Sequence, residues 1–324
     1  MPGSASAFWM TSPGRGEIRT QSLPDIEEDQ VLVRTLHSGV SRGTETLVFS
    51  GGVPESQHAL MRAPFQEGDF PAPVKYGYLN VGVVERGPAA LEGRTVFSLY
   101  PHQTRYVVPA SAVTVVPDDV PPARAVLAGT VETAVNAVWD AAPLIGDRIA
   151  VVGGGMVGCS VAAVLAGLPG TRVQLVDVDE SRAAVATALG AGFATPADAA
   201  GDCDLVIHAS ATSAGLTRSL ELLAPDATVV ELSWYGDRPV TVPLGEFFHS
   251  RRLTVKASQV GGIPPGRRRT YAERLALALD LLRDERFDSL ITGHCDFTEL
   301  PAVLPRLADG SLHTLCHLVH YEGE

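Results

Sequence analysis

The sequence predicts an α/β protein in which a β-rich domain is joined to a doubly wound parallel sheet. Two observations lead to this prediction. Residues 1–120 are rich in Val, Gly and Pro and show short alternating runs with turn signals about every 8–12 residues, which indicates a partly open barrel. Residues 121–259 instead alternate continuous apolar runs with helical patterns, which is typical of parallel strands covered by helices on both faces.

The bulk composition indicates a soluble globular protein and argues against several partners. The chain of 324 residues is long enough for two domains, and its 45% hydrophobic and 19% charged residues are ordinary values. A formal net charge of −12 argues against a nucleic-acid partner, because phosphate binding needs clustered cations. No apolar stretch predicts a membrane span, and the first residues lack a signal-peptide pattern, so we expect a cytoplasmic protein.

The β-rich domain should contain strands and one long loop, and a helical segment should follow it. Gln30–Thr35 and Val81–Glu85 alternate as half-buried strands do. Residues 50–73 hold repeated Gly and Pro without a sustained period, which predicts a long surface loop. Ala123–Ala142 has the pattern of one or two helices and leads into the parallel sheet.

Five strands are predicted in the parallel sheet, joined by right-handed crossovers. Their ranges are 148–152, 172–176, 204–209, 228–232 and 252–257, with helical patterns between them, for example at 181–189 and 214–223. The tail, residues 260–324, is assigned to the β-rich domain. It contains two predicted helices, Thr270–Leu282 and Leu300–Leu307, and a predicted strand, Leu312–Tyr321.

The most specific motif lies where the first parallel strand ends. Gly153, Gly155 and Gly158 have the G-x-G-x-x-G spacing between a strand and a helix. The first glycine permits the tight turn, the second lets a pyrophosphate approach the backbone, and the third allows close packing of helix on strand. Met156 and Val157 open that helix, whose free N–H groups would face the phosphates.

An acidic residue and two serines complete the predicted coenzyme site. Asp177 ends the second strand, where it should accept hydrogen bonds from the ribose hydroxyls and repel a 2′-phosphate, so NAD(H) is the expected cofactor. Ser210 and Ser233 follow the strands at 204–209 and 228–232. Ligands of open α/β sheets bind at the carboxyl ends of the strands, so both serines should line the nicotinamide end.

Three segments resemble motifs of the medium-chain dehydrogenase/reductase superfamily, and the similarity extends over nearly the whole chain. Leu36–Glu45 resembles its S-G-I-C-G-T-D motif, Tyr76–Gly87 resembles its G-H-E-x-x-G-x-V-x-x-x-G motif, and Val151–Gly158 with Asp177 matches its cofactor fingerprint. The resemblance implies a GroES-like catalytic domain, a Rossmann domain, hydride transfer at a nicotinamide and a homodimer. Among the superfamily, the segments S-R-G-T-E and Y-G-Y look most like zinc-independent bacterial members near bacteriochlorophyllide dehydrogenase.

The chain departs from the zinc-binding members at the metal ligands. Ser41 or Arg42 stands at the position of the ligating Cys, Tyr78 replaces the His and Leu79 the adjacent Glu. These side chains are poor zinc ligands compared with thiolate, imidazole and carboxylate. The four cysteines are far apart and form no C-x-x-C pair, so a structural zinc lobe and disulfides are not expected either. We therefore predict no metal.

Another group must then stabilise the developing oxyanion. The candidates at the former metal position are Tyr78, Arg42, Lys75, Thr44 and Glu45. In the preferred hypothesis Tyr78 binds the substrate oxygen and exchanges the proton, while Lys75 or Arg42 lowers its pKa or binds substrate. The alternatives are a packed aromatic at Tyr78, a salt bridge from Arg42 to Glu45 or Glu132, and a solvated loop residue at Lys75.

Three functions remain open at this stage. The first is a zinc-independent, NAD-dependent dehydrogenase or reductase acting on a C–OH/C=O pair. The second is reduction of a C=C bond conjugated to a carbonyl, and the third is a non-catalytic NAD(H) sensor. The expected partners are a small-molecule substrate, which the basic run Gly266–Arg269 would suit if it is anionic, and a second copy of the chain.

Overall fold

The computed structural model describes residues 3–321, and the chain forms two compact units. The β-rich unit comprises residues up to 129, 275–283 and those from 291 onward; the parallel-sheet unit comprises 130–274 and 284–290. The sequence-based prediction had set the domain limits at 120/121 and 259/260. The chain passes between the units four times, and two of these passages lie within helices, α3 (Ala128–Ala141) and α8 (Tyr271–Leu281).

The β-rich unit contains two sheets. Its strands are β1 (Ser4–Ser12), β2 (Arg15–Ser22), β3 (Gln30–Ser41), β4 (Glu67–Gly68), β5 (Val74–Lys75), β6 (Asn80–Arg86), β7 (Thr95–Ser98), β8 (Arg105–Pro109), β9 (Thr114–Val115), β16 (Ile291–Asp296) and β17 (Cys316–His320). One sheet has the order β2-β1-β5-β4, and the other has the order β16-β17-β3-β6-β7-β9 with β8 also paired to β3. Strand β3 is thus shared between three partners, which makes it the centre of this unit.

Short helices lie around these sheets: α1 (Arg42–Phe49), α2 (Pro122–Ala125) and α9 (Leu300–Ala308). The predicted loop at 50–73 holds one 3₁₀ turn, Glu55–Gln57, and the two-residue strand β4. The sheet core is apolar and aromatic, and its centre is the stack of Tyr100 on Tyr106, with ring centroids 3.8 Å apart. Such a stack adds about 0.5–1.5 kcal/mol beyond its buried area.

The parallel-sheet unit has six parallel strands in the order β12-β11-β10-β13-β14-β15. They are β10 (Arg148–Val152), β11 (Arg172–Val176), β12 (Gly192–Ala194), β13 (Cys203–His208), β14 (Leu223–Glu231) and β15 (Thr254–Ala257). Its helices are α4 (Met156–Ala166), α5 (Arg182–Ala188), α6 (Ser213–Leu222) and α7 (Phe247–Ser250). The order is that of the doubly wound dinucleotide-binding sheets, so the predicted fold class is confirmed.

Three strands of this sheet differ from their prediction by more than one residue. Strand β14 begins at Leu223 rather than at residue 228, and Leu223 itself was predicted to end the preceding helix. The three-residue strand β12 was not predicted, because it is too short to show a period. The last strand begins at Thr254 rather than Arg252, since Arg252 has a φ of 54° and belongs to the preceding turn. No helix within residues 3–321 is long and apolar enough to cross a membrane.

Candidate functional site

The glycine turn between β10 and α4 is closed on two sides and open on the third. A Cβ at Gly158 would overlap the carbonyl oxygen of Gly153, and a Cβ at Gly153, whose φ is 109°, would lie 2.6 Å from the backbone nitrogen of Ser210. A Cβ at Gly155 would meet nothing within 4 Å. Gly153 and Gly158 therefore allow close packing of the backbone, while Gly155 leaves space over the helix N-terminus where a pyrophosphate would fit.

Asp177 lies beside this turn, as predicted. Its Oδ2 accepts a hydrogen bond from the Gly154 nitrogen at 2.5 Å, and its Oδ1 accepts one from the Asp179 nitrogen at 2.8 Å. Asp179 in turn forms an ion pair with Arg182 at 3.2 Å. The carboxylate is thus fixed at the carboxyl end of β11 by backbone donors, which is the position that a ribose-binding acid requires.

A buried network connects the ends of β13 and β14. His208, the last residue of β13, is fully buried; its Nδ1 lies 2.7 Å from Glu231 Oε2 and its Nε2 2.7 Å from Ser210 Oγ. Because an ionised carboxylate only accepts, Nδ1 carries the proton and Nε2 accepts from the serine hydroxyl. Glu231 also accepts from the Ser233 nitrogen at 2.7 Å and from the Tyr235 hydroxyl at 3.0 Å.

This network fixes the two predicted coenzyme serines. Ser210 Oγ also lies 2.9 Å from Thr212 Oγ1, and Ser233 Oγ accepts from the Ala211 nitrogen at 3.0 Å. The atoms Ser210–His208–Glu231 have the order of a catalytic triad, but a Cβ at Gly215 would overlap Ser210 Oγ. The first turn of α6 therefore closes one side of this hydroxyl, which favours a positioning role over nucleophilic attack.

A second buried network occupies the β-rich unit at the start of α1. Glu45 is fully buried; its Oε1 accepts from the Ser41 nitrogen at 2.7 Å, and its Oε2 lies 2.8 Å from His102 Nε2. His102 Nδ1 lies 2.7 Å from Ser38 Oγ, which is itself 2.8 Å from the Tyr321 hydroxyl. With Glu45 ionised, Nε2 donates to the carboxylate and Nδ1 accepts from Ser38. Sequence analysis missed His102, which stands in a loop outside any motif.

Tyr78 faces this network. Burial and the charge of Glu45 raise the pKa of Tyr78 to about 12, while hydrogen bonds with the side chains of Ser41 and Thr44 act in the opposite direction. The ring of Tyr76 lies edge-on to it, with centroids 6.0 Å apart. Tyr78, Thr44 and Glu45 are therefore brought together, and the Tyr78 hydroxyl is a neutral hydrogen-bond donor at neutral pH.

Lys75 and Arg42 have other surroundings. Lys75 is fully buried rather than solvated, and its Nζ donates to Glu67 and, at 2.6 Å, to Gln103 Oε1. Burial lowers the pKa of Lys75, although Glu67 opposes this. The pKa of Tyr78 is raised, and neither Lys75 nor Arg42 is among the groups that shift it, so the predicted lowering is not found. That one of them binds substrate stays a prediction. Within residues 3–321 Arg42 forms no ion pair.

Glu132 is also placed differently from the prediction. It lies in the second turn of α3, buried, and pairs with the equally buried Arg274 at 3.0 Å. Arg274 further donates to Asn136 Oδ1 at 2.5 Å. Burial raises the pKa of Glu132, although Arg274 opposes this. Glu132 is thus a structural ion-pair residue of the parallel-sheet unit and not a partner of Arg42.

Comparison with solved structures identifies the fold. L-idonate 5-dehydrogenase from Escherichia coli superposes with a TM-score of 0.82 at 15% identity, covering 99% of each chain. A protein from Sinorhizobium meliloti described as a zinc-binding dehydrogenase, bound to NADP, gives 0.79 at 18% identity and covers 98% of this chain and 99% of that one. The chain has the fold of the medium-chain dehydrogenases.

The comparisons of sequence are weaker. L-threonine 3-dehydrogenase from Bacillus velezensis is 30% identical over 161 residues, which is 46% of this chain and 46% of that protein. The matched region thus spans about half the length of this curated relative. No family model matches the sequence. An alcohol dehydrogenase from Escherichia coli in complex with NADH has a TM-score of 0.77 at 17% identity and covers 98% of this chain and 99% of that one.

The motif resemblance assigns Ser41 and Tyr78 to positions of metal ligands, and the side chains there do not suit zinc. Ser41 and Tyr78 offer hydroxyl groups there, and the Glu45 carboxylate is already bound by Ser41 and His102. In the part of the chain that the structure describes, no group of three or more His, Cys, Asp or Glu side chains could hold a metal ion. Hydroxyl groups are weak ligands for zinc compared with imidazole and thiolate.

Proposed function

We propose that the protein is an NAD(H)-dependent, zinc-independent dehydrogenase or reductase that acts on a C–OH/C=O pair. The observation that carries this proposal is the glycine turn of residues 153–158, open at Gly155 and flanked by Asp177 at the end of the next strand. A coenzyme bound there supplies a hydride acceptor or donor. Gly155, Met156 and Val157 would bind its pyrophosphate, and Gly153 and Gly158 would shape the turn that holds it.

The preference for NAD(H) rests on charge. Asp177 and Asp179 lie together at the end of β11, and Arg182 forms an ion pair with Asp179 at 3.2 Å. A 2′-phosphate there would face two carboxylates and one guanidinium. We expect Asp177→Asn to lower the ratio of the NADP(H) to the NAD(H) dissociation constant by about tenfold or more, since it removes one negative charge close to the 2′-phosphate. Unchanged discrimination in that variant would contradict this part of the proposal.

The substrate oxygen would be bound by Tyr78. Its raised pKa keeps the phenol protonated at neutral pH, so it can donate a hydrogen bond to a carbonyl oxygen and a proton to the developing alkoxide. Ser41 and Thr44 orient this hydroxyl, and the buried Glu45–His102 pair fixes Ser41 in turn. In the oxidative direction the alcohol's proton would pass to the Tyr78 phenolate, a form that the raised pKa of Tyr78 makes scarce at neutral pH.

Steady-state assays with a panel of alcohols, ketones and enones test the reaction. We expect NAD-dependent oxidation of alcohols or NADH-dependent reduction of ketones, unaffected by chelators, and a loss of 10²- to 10³-fold in kcat for Tyr78→Phe, the cost of one oxyanion donor. Tyr76→Phe, two residues earlier in the same segment, is the matched control and should retain activity. Full turnover in Tyr78→Phe would refute the assigned role.

Two alternatives and the oligomeric state are separated by simple measurements. Consumption of NADH with enones but not ketones would indicate reduction of conjugated C=C bonds, and tight NADH binding without turnover would indicate a sensor. A homodimer through the sheet edge is part of the proposal because β15, at the end of the sheet, is exposed along its whole length. Light scattering that gives the mass of one chain would reject the dimer.

A further inference from the structure

The network at the ends of β13 and β14 lies in one half of the coenzyme site. Asp177 is the expected ribose-binding acid at the end of β11, so the half formed by β10, β11 and β12 would hold the adenosine, as in other dinucleotide-binding sheets. The half formed by β13, β14 and β15 is then left for the nicotinamide. Glu231 lies at the carboxyl end of β14, so its largely buried carboxylate belongs to the nicotinamide half.

The surroundings of Glu231 favour its ionised form. Its side chain is 13% exposed, and it accepts hydrogen bonds from three donors: His208 Nδ1, the Ser233 nitrogen and the Tyr235 hydroxyl. Burial alone would raise the pKa of Glu231, but the bonds from His208 and Ser233 outweigh it and lower the pKa. The nearby cation Arg238 is exposed and donates to the Tyr235 carbonyl oxygen, and no arginine or lysine among residues 3–321 forms an ion pair with Glu231, whose partner is His208.

We propose that the Glu231 carboxylate tunes the coenzyme site toward the oxidised nicotinamide, so that the protein binds NAD⁺ in preference to NADH and bound NADH becomes a stronger hydride donor. This inference rests on the proposed function. An oxidised nicotinamide ring is positively charged, whereas the reduced ring is neutral. A fixed negative charge in the same half stabilises only the oxidised ring, and charge near the reacting ring is a recognised means of tuning a cofactor. His208 and Tyr235 are positioning residues that hold the carboxylate in place.

The expected size follows from Coulomb's law. In general, two unit charges about 10 Å apart at an effective dielectric constant of about 20 interact strongly enough to change an affinity ratio by roughly tenfold, which sets the order of magnitude. A role that is only structural would weaken both forms by the same factor. The ratio of the dissociation constants of NAD⁺ and NADH therefore separates the two roles.

The experiment measures NADH binding by fluorescence and NAD⁺ binding by competition on the full chain at pH 7.5. For Glu231→Gln we expect the ratio of the NAD⁺ to the NADH dissociation constant to rise about tenfold. Tyr235→Phe is the matched control: it removes one hydrogen bond from Glu231 without changing the charge, so the ratio should stay within twofold. Ser233→Asp adds a carboxylate at the same strand end and should lower the ratio.

These variants give clear outcomes. An unchanged ratio in soluble Glu231→Gln, or an equal weakening of both coenzyme forms, overturns the inference while leaving the proposed function intact. If Glu231→Gln does not fold, Ser233→Asp decides: a ratio that stays constant or rises overturns the inference. If the unmodified protein binds neither coenzyme form, the proposed function itself fails, and this inference fails with it.

Discussion

Removal of the Glu45 carboxylate should be among the most damaging single changes in the β-rich unit. Glu45 and His102 are 0% and 1% exposed, so neither can recover water when its partner is lost. Glu45→Ala leaves two buried donors, the Ser41 nitrogen and His102 Nε2, without acceptors. Each unsatisfied donor costs about 1–2 kcal/mol and the cavity roughly another 1, so we expect a loss of about 3–5 kcal/mol in the free energy of unfolding.

The isosteric change Glu45→Gln should cost much less. The amide oxygen still accepts from the Ser41 nitrogen, and the amide nitrogen can donate to His102 Nε2 if the ring takes its other tautomer. In that tautomer His102 Nδ1 carries the proton, and Ser38 Oγ can accept it in a hydrogen bond because a hydroxyl is both donor and acceptor. We expect a loss of about 1 kcal/mol, the net value of one hydrogen bond.

Thermal and urea unfolding measure these differences. At about 2–4 °C per kcal/mol for a domain of this size, Glu45→Ala should melt roughly 6–20 °C below the unmodified protein. Glu55→Ala, at an exposed position in the following 3₁₀ turn, is the control and should stay within about 0.5 kcal/mol. A Glu45→Ala protein that melts within about 2 °C of the parent would show that the buried network contributes little, contrary to the reasoning above.

Further predictions concern the glycine turn, a buried lysine and a histidine. Gly155→Ala should weaken NADH binding without lowering the melting temperature, because its Cβ would lie in open space. Gly158→Ala should lower both the affinity for NADH and the melting temperature, because overpacking costs about 1–3 kcal/mol. Equal melting temperatures in the two variants would contradict this. Lys75→Met should be neutral or stabilising by about 1 kcal/mol in urea unfolding, because Glu67 is 48% exposed and can rehydrate, and a loss above about 2 kcal/mol would refute it. Burial and two neighbouring histidines lower the pKa of His37 to about 4. As the pH falls, His37 is therefore protonated in the unfolded chain before it is protonated in the folded one, and this favours unfolding. The free energy of unfolding should fall by about 2 kcal/mol more between pH 7 and 4.5 in the parent than in His37→Asn.

The sequence predicted the coenzyme half of the protein better than the substrate half. The strands Arg148–Val152 and Arg172–Val176 were predicted to the residue, because continuous apolar runs bounded by turns have few other interpretations. The glycine spacing similarly fixed the turn. Local patterns thus suffice where one segment forms the whole feature.

The side-chain networks could not be predicted in the same way. Glu45 and His102 are 57 positions apart, and only the folded sheets bring them together. His208 stands at the end of an apolar run that was predicted to continue to Ala209, so it was counted as an interior strand residue, although a polar residue at a strand end was the available signal. Lys75 was misjudged because a charged side chain is rarely buried fully, and its partner Glu67 gives no local signal.

The pairing of β17 with β3 has a consequence for biosynthesis. Ser38 contacts Tyr321 across 283 positions, and Cys316–His320 forms the hydrogen-bonded neighbour of Ser41–His37. A nascent chain cannot cover this side of β3 until β17 has left the ribosome. We therefore expect the parallel-sheet unit to be able to form earlier in translation than the β-rich unit, whose β3 keeps an uncovered edge until then and can bind chaperones or other chains.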